Sequence, residues 1–311
     1  MSEKEKKRIE EGEDFLHWCR HLHIDKVKQY LDEGKDINYF DEKKRNGPWM
    51  AFTYNSERDR SKLAIELVNL LISSGKYELN MKGKYGRTIL HLLFDRVFHS
   101  YTFKLFEKII HTNDIDLNIQ DEDGRSALIT LCLFNMNVYE KEVLQILIND
   151  KRCDLNLKDN TGKTALMYLS ILFNNGDYVD IEVFDLFIKN ERCDLNLKDN
   201  EGKDILWYVC KNTNAELMKK FLLDCGNRLI IDQSIKYPMY QDLIEDYLVK
   251  QRNKIGTLLI SIKKESKINT QEKRKLNEME ENPLKILPNE LIHLILSYSH
   301  PLAPQTKYCL N

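Results

Sequence analysis

What this chain of 311 residues lacks already narrows its class. It has only six prolines and twelve glycines, too few for a collagenous or low-complexity polymer. Its seven cysteines are odd in number and include no CxxC pair, so no disulfide framework is expected. Reduced thiols in a cytoplasmic setting fit better. No apolar run approaches the roughly 18 residues that cross a bilayer, and the charged opening MSEKEKKRIEEGED has no apolar core behind it, so neither membrane insertion nor classical secretion is expected. Charge of one sign is also missing: with a net of -2, the bulk composition points to no polyanionic partner. What remains, 42% hydrophobic and 31% charged residues, is the profile of a folded, helix-rich protein.

The chain repeats itself. CDLNLKDNTGK at 153–163 returns as CDLNLKDNEGK at 193–203, and earlier copies end at Gly47, Gly86 and Gly124, so the glycines lie 39, 38, 38 and 40 residues apart. After each glycine comes a short apolar pattern (RTILHLLF, RSALITLCLF, KTALMYLSILF, KDILWYVC) and then a second one (EVLQILIN, EVFDLFIK). Apolar residues at i, i+3 and i+4 make both pieces amphipathic helices. Val143, Leu144, Leu147 and Ile148 of one copy align with Val183, Phe184, Phe187 and Ile188 of the next. A lone helix pair cannot bury such faces, whereas stacked pairs can.

The order turn, glycine, helix, helix, D-[IL]-N resembles the ankyrin repeat, with GRTILHLLF at 86–94 and GKTALMYLS at 162–170 nearest its G-x-T-x-L-H-x-A pattern. The expected fold is an all-α ankyrin-repeat solenoid of five to six units over 13–235, behind a charged segment at 1–12. The first unit, DFLHWCRHLHIDKVKQYLDEGKDIN, reads as a polar-faced cap with His17 at the family's histidine position. The copies exceed the family's length by a few residues, placed by pattern between the two helices (FNMNVYEKE, FNNGDYVDIE) and therefore in surface loops. The region 46–62 is the least faithful copy, with Pro48 and Trp49 in place of a Thr and an Ala.

Several groups of residues that carry chemistry in other proteins have structural roles open to them here. Gly162, Lys163 and Thr164 spell GKT, but a phosphate loop needs a glycine five residues earlier, where Leu157 stands. His17, Cys19, His21 and His23 crowd one helix, and a zinc site needs three or four convergent ligands. Cys153 and Cys193 share one repeat position and read as small buried groups. Asp121, Asp123, Asp159 and Asp199 suit turns, where the side chain accepts from nearby backbone amides. No catalytic residue, metal or cofactor is expected. In the ankyrin family the projecting turns and inner helices form the concave partner-binding face. The resemblance therefore implies a protein target contacted by the variable turn residues Lys84, Tyr85, Glu122, Asn160, Thr161, Asn200 and Glu201.

Beyond the repeats, 236–282 reads as a helical, charged linker whose stretch 250–275 holds nine Lys and Arg against two Glu. Without interleaved aromatics or a recognisable fold, that run reads as a solvated helix, and nucleic acid is not the expected partner. The segment 283–311 contains PLKILPNELIHLILSYSH, a short apolar helix opened by Pro288. It resembles the start of an F-box, with Leu287, Pro288, Leu291, Ile295 and Leu296 on pattern, which implies docking on the Skp1 adaptor of a cullin ubiquitin ligase. Repeats followed by such a tail look like the ankyrin and PRANC proteins of poxviruses and the ankyrin effectors of intracellular bacteria. The resemblance implies an adaptor in a host cytoplasm. The alternative is a plain interaction module whose last helix caps the solenoid.

Overall fold

A computed structural model describes residues 2–53, 58–95, 100–133, 138–174 and 181–211, with Phe221, Cys225, Arg228 and Leu229. All lie in the first of two compact units, which spans Met1–Met239. Five helix pairs follow one another: α1 (Glu3–His21) with α2 (Ile24–Asp32), α3 (Gly47–Thr53) with α4 (Arg58–Ser73), α5 (Ile89–Phe94) with α6 (Ser100–Ile110), α7 (Ala127–Leu131) with α8 (Val138–Asn149), and α9 (Ala165–Asn174) with α10 (Ile181–Ile188). A further first helix, α11 (Ile205–Cys210), opens the next pair. The odd-numbered helices stack in one layer and the even-numbered ones, from α2 to α10, in a second. The only bridges outside helices among the described residues are Gln120 to Ser126 and Lys198 to Asp204, each across a turn.

The helices α3, α5, α7 and α11 have only five to seven residues, too few to persist alone, since nucleation is costly and one or two turns return little. A repeated cap starts them. Asn46, Thr88, Ser126, Thr164 and Asp204 occupy one repeat position, and all are residues favoured at helix N-caps. Asn46 Oδ1 accepts from Trp49 N at 3.0 Å, Ser126 Oγ from Ile129 N at 3.3 Å, Thr164 Oγ1 from Met167 N at 3.4 Å and Asp204 Oδ1 from Trp207 N at 2.9 Å. In the second copy Thr88 N donates back to His91 Nδ1 at 3.2 Å. Packing does the rest: Leu90, Leu128, Leu166 and Leu206, two residues after each cap, are buried, as are Val143, Leu144, Leu147, Ile148 and their counterparts Val183, Phe184, Phe187 and Ile188.

Two features differ from the sequence reading. The turn glycine of the first copy is not Gly47. Counting six residues from the repeat asparagine (Asn38, Asn80, Asn118, Asn156, Asn196) leads to Lys44, Gly86, Gly124, Gly162 and Gly202, and all five have φ between 56 and 82. Lys44 takes the left-handed turn, Gly47 begins α3, and Pro48 and Trp49 match Leu90 and His91. His17 is likewise not the buried family histidine; it is exposed, and the buried position belongs to His91. The charged residues 3–12 are continuous with α1, whose Ser2 accepts from Glu5 N at 3.3 Å. Of the stretches read as inserted loops, FNMNVYEKE and FNNGDYVDIE, residues 134–137 and 175–180 lie outside the described residues, whereas 138–142 belong to α8.

Candidate interaction face

Between each second helix and the next first helix the chain makes a finger, and two networks lock its stem. The first is a clasp. The Asn38 amide donates to Lys76 O at 2.9 Å and accepts from Glu78 N at 3.0 Å; Asn80 does the same with Asp114 O and Asp116 N, at 2.6 and 2.8 Å. Asn118 clasps Arg152 O and Asp154 N, both at 2.8 Å, and Asn156 clasps Arg192 O and Asp194 N, at 2.8 and 2.7 Å. Asn196 donates to Arg228 O at 2.9 Å. Asn38, Asn80, Asn118 and Asn156 thus each supply a donor and an acceptor to a backbone 34 to 40 residues on, like an extra residue of β-ladder. The second network is cationic. The Arg152 guanidinium caps Ile110 O at 2.7 Å, that of Arg192 caps Ile148 O, and that of Arg228 caps Ile188 O, which places positive charge at the C-termini of α6, α8 and α10.

The finger turn itself is an aspartate turn. Oδ1 of Asp41, Asp121, Asp159 and Asp199 accepts from the backbone two and four residues on, at 2.8 to 3.0 Å. The other oxygen is used too: the Tyr168 hydroxyl donates to Asp159 Oδ2, and that of Tyr208 to Asp199 Oδ2. Burial opposes ionisation of Asp159, but the bonds from Tyr168, Thr161 and the turn amides outweigh it and hold the carboxyl below its usual range. These four turn aspartates are structural, and Asp123 at the tip pairs with Arg125 at 3.0 Å. Cys153 and Cys193 are buried, and burial pushes both thiols up to about 12, far from nucleophilic.

The expected contact residues all sit at finger tips, in differing states. Neighbouring tips are joined by backbone bonds: Glu122 N to Tyr85 O at 2.9 Å, Asn160 N to Asp123 O at 2.9 Å and Asn200 N to Thr161 O at 3.1 Å. Asn160 and Asn200, though exposed, use their amides between fingers, donating to Glu122 O at 2.8 Å and Asn160 O at 2.9 Å. Thr161 Oγ1 donates to Asp159 Oδ1 at 2.7 Å, and Glu201 pairs with Lys203. Glu122 points outward. Lys84 lies half-buried with its ammonium 4.9 Å from the Trp49 ring centre and 4.7 Å from that of Tyr85. Tyr85 is 52% exposed and sits at φ 60, ψ 22, a left-handed conformation costing a residue with a Cβ about 1–3 kcal/mol. Its finger has Gly83 where the others have aspartate, so no side chain accepts from that turn, although Gly83 N still bonds Arg87 O at 2.9 Å.

Sequence reading missed a column of cations one residue past each turn: Arg45, Arg87, Arg125, Lys163 and Lys203, all half-buried. Arg45 pairs with Asp41, and Arg87 with Asp95 at 2.8 Å. Lys203 and Lys211 flank the Trp207 ring, 4.2 and 5.4 Å from its centre. The strict repeat position was the available signal. The histidines His17, His21 and His23 do gather, with ring centres 4.5 to 6.2 Å apart, but Cys19 is buried on the other side of α1. Among the described residues no group of three or more His, Cys, Asp or Glu is placed to hold a metal ion, and no helix is long and apolar enough to cross a membrane. Leu287, Pro288, Leu291, Ile295, Leu296 and the basic stretch 250–275 lie outside the described residues.

No protein-family model matches the chain, and no curated protein matches it. Solved structures do. An ankyrin repeat domain from Acinetobacter baumannii AYE matches at 21% identity and a TM-score of 0.54, covering 68% of this chain and 97% of that one. The ankyrin repeat protein EF0377 matches at 18% identity and 0.53, covering 68% and 97%. The ankyrin repeat domain of Bcl-3, described as a unique member of the IkappaB protein family, matches at 15% identity and 0.50, covering 72% and 88%. At such identities the likeness speaks for the fold, and the described part of the chain is an ankyrin-repeat solenoid.

Proposed function

We propose that the chain is a non-catalytic module that binds another protein through its finger tips and inner helices. The observation that carries this reading is the division of labour within each finger. The stem is bonded by the clasps and, in four of the five fingers, by the aspartate turns, while the tip residues Tyr85, Glu122, Thr161 and Glu201 differ from copy to copy and face solvent. A rigid scaffold carrying variable exposed tips is the arrangement that binding loops use. The partner's adducts should therefore map to the tips. A photo-crosslinking residue placed at 85 or 161 is expected to yield an adduct with a second protein in cytosol, and one placed at Lys28 on α2 is not. Equal adducts at all three sites, or at Lys28 alone, would overturn the reading.

In its fuller form the proposal makes the chain an adaptor, cytoplasmic in location, in which the repeats hold a target and the tail at 287–298 docks on Skp1 of a cullin ligase. Support for this part is the F-box-like sequence LPNELIHLILSY alone. Skp1 and cullin should co-precipitate with the intact chain and not with a Leu291→Asp, Ile295→Asp double variant of unchanged circular dichroism. Their absence from both precipitates would leave a plain interaction module.

A further inference from the structure

We propose that the tips of the first two fingers, Lys43, Lys44, Lys84 and Tyr85, are the docking point for an acidic segment of the protein partner, with Tyr85 as its aromatic anchor. This rests on the finger face being the binding face. The first support is the conformation of Tyr85. At the same place in later fingers stand Asp123, Thr161 and Glu201, none of them left-handed; only Tyr85 is. Its contribution to the ladder is its backbone carbonyl, which any residue, glycine most easily, would provide. The ring is 52% exposed, and the charge or ring contact it makes among the described residues is with the Lys84 ammonium. A strained backbone that holds an aromatic side chain out in water serves something other than the fold.

Charge supplies the second support. Residues 40–46 and 82–88 carry six basic side chains against two acidic ones, and one of those acids, Asp41, is buried against Arg45. Lys43 and Lys44 are exposed and make no ion pair among the described residues. The next finger, 120–126, reverses sign, with three acids against Arg125 and with Glu122 and Asp123 exposed. That reversal selects the occupant. A nucleic acid strand carries a phosphate about every 3.4 Å and would run from the basic fingers into the acidic one. A short carboxylate-rich peptide ends within two fingers, and its apolar or cationic flank can rest on the Tyr85 ring, the kind of rigid aromatic contact that dominates binding energy.

The test selects binders to the full chain from a display library of random twelve-residue peptides, with a labelled single-stranded oligonucleotide as a second probe. The expected result is enrichment of Asp and Glu in the recovered peptides. Affinity for the best of them should fall about tenfold or more in Lys43→Glu, Lys84→Glu, and stay unchanged in the control Lys26→Glu, Lys28→Glu on α2. Tyr85→Gly separates anchor from scaffold: its melting temperature should rise as strain is relieved, while affinity for the same peptide falls about tenfold. Peptides without acidic enrichment, bound equally by the charge-reversed variant, would overturn this proposal and leave the protein-binding reading intact. Oligonucleotide binding lost on charge reversal, with no peptide recovered, would overturn both. Affinity unchanged in Tyr85→Gly would remove the anchor.

Discussion

At the scale of single residues, the five left-handed turn positions look equivalent but are not. A Cβ on Gly162 would lie 2.5 Å from Asn200 N and one on Gly124 2.7 Å from Asn160 N, whereas one on Gly202 meets nothing within 4 Å. Both Gly162 (φ 82) and Gly202 (φ 78) incur the left-handed penalty of about 1–2 kcal/mol when changed to alanine. Only at Gly162 must the finger ladder also part. Gly202→Ala is expected to cost about 1 kcal/mol and Gly162→Ala about 3 kcal/mol or more in urea unfolding, the excess being the lost inter-finger bond and the displaced backbone. Equal costs would mean that the fingers are not mechanically joined.

His91 offers a residue-scale prediction in pH. It is fully buried; Nδ1 faces Thr88 N at 3.2 Å and Thr88 Oγ1 at 2.9 Å, while Nε2 lies 2.9 Å from Arg125 O. A backbone N–H must donate, so Nδ1 is the acceptor and Nε2 carries the proton. Burial, the largest cause, lowers the pKa of His91 below its ordinary value, with the Arg125 carbonyl and Asp121 opposing and Arg87 and Lys82 assisting. The unfolded chain therefore takes up the proton first. Stability from His91 is complete above pH 6.5, the ordinary value, and declines as pH falls below it. The urea midpoint should drop from pH 7 to pH 5 more steeply in the natural chain than in His91→Gln, which lacks a proton to gain there. Parallel slopes would sink this assignment.

At the scale of elements, the helices were legible because their signals are local. The caps Thr88, Ser126, Thr164 and Asp204 directly precede apolar runs, and the i, i+3, i+4 pattern of Val143 to Ile148 needs only one turn of neighbours. The first finger is not legible in this way, because its marker is a glycine and Lys44 stands there instead, which leaves Gly47 as the nearest glycine in the sequence. The expected contact residues lie at finger tips, yet nothing local says that the Asn160 and Asn200 amides bond the preceding finger. The clasps were hidden for the same reason. The repeated D-[IL]-N was visible as a motif, but its partners lie 36 to 40 residues away in sequence. Substitution exposes their weight. Asn156→Ala leaves Arg192 O without its donor and Asp194 N without its acceptor, and should cost about 1–3 kcal/mol by circular dichroism melting. Asn156→Asp keeps the acceptor alone and should fall between the two.

At the scale of the whole solenoid, the described helices pack chiefly within a pair and on the next pair, so stability is a sum of unit and neighbour terms and damage stays local. The first pair makes the sharpest case. Phe15 is completely buried, stacks on Tyr30 with ring centres 5.1 Å apart, and reaches α3 so closely that a Cβ on Gly47 would lie 3.0 Å from its ring. Its truncation to alanine empties a cavity between α1, α2 and α3, at a cost of about 3–5 kcal/mol to that end of the stack. Hydrogen exchange read by mass spectrometry should then show protection lost in α1 to α4 and kept in α9 and α10. The lesion reaches α9 and α10 through the intervening pairs, along α3, α5 and α7 in one layer and α4, α6 and α8 in the other. Protection lost uniformly along the described helices would instead mean that the repeats fold as one cooperative block, and that neighbour contacts alone do not set where the solenoid opens.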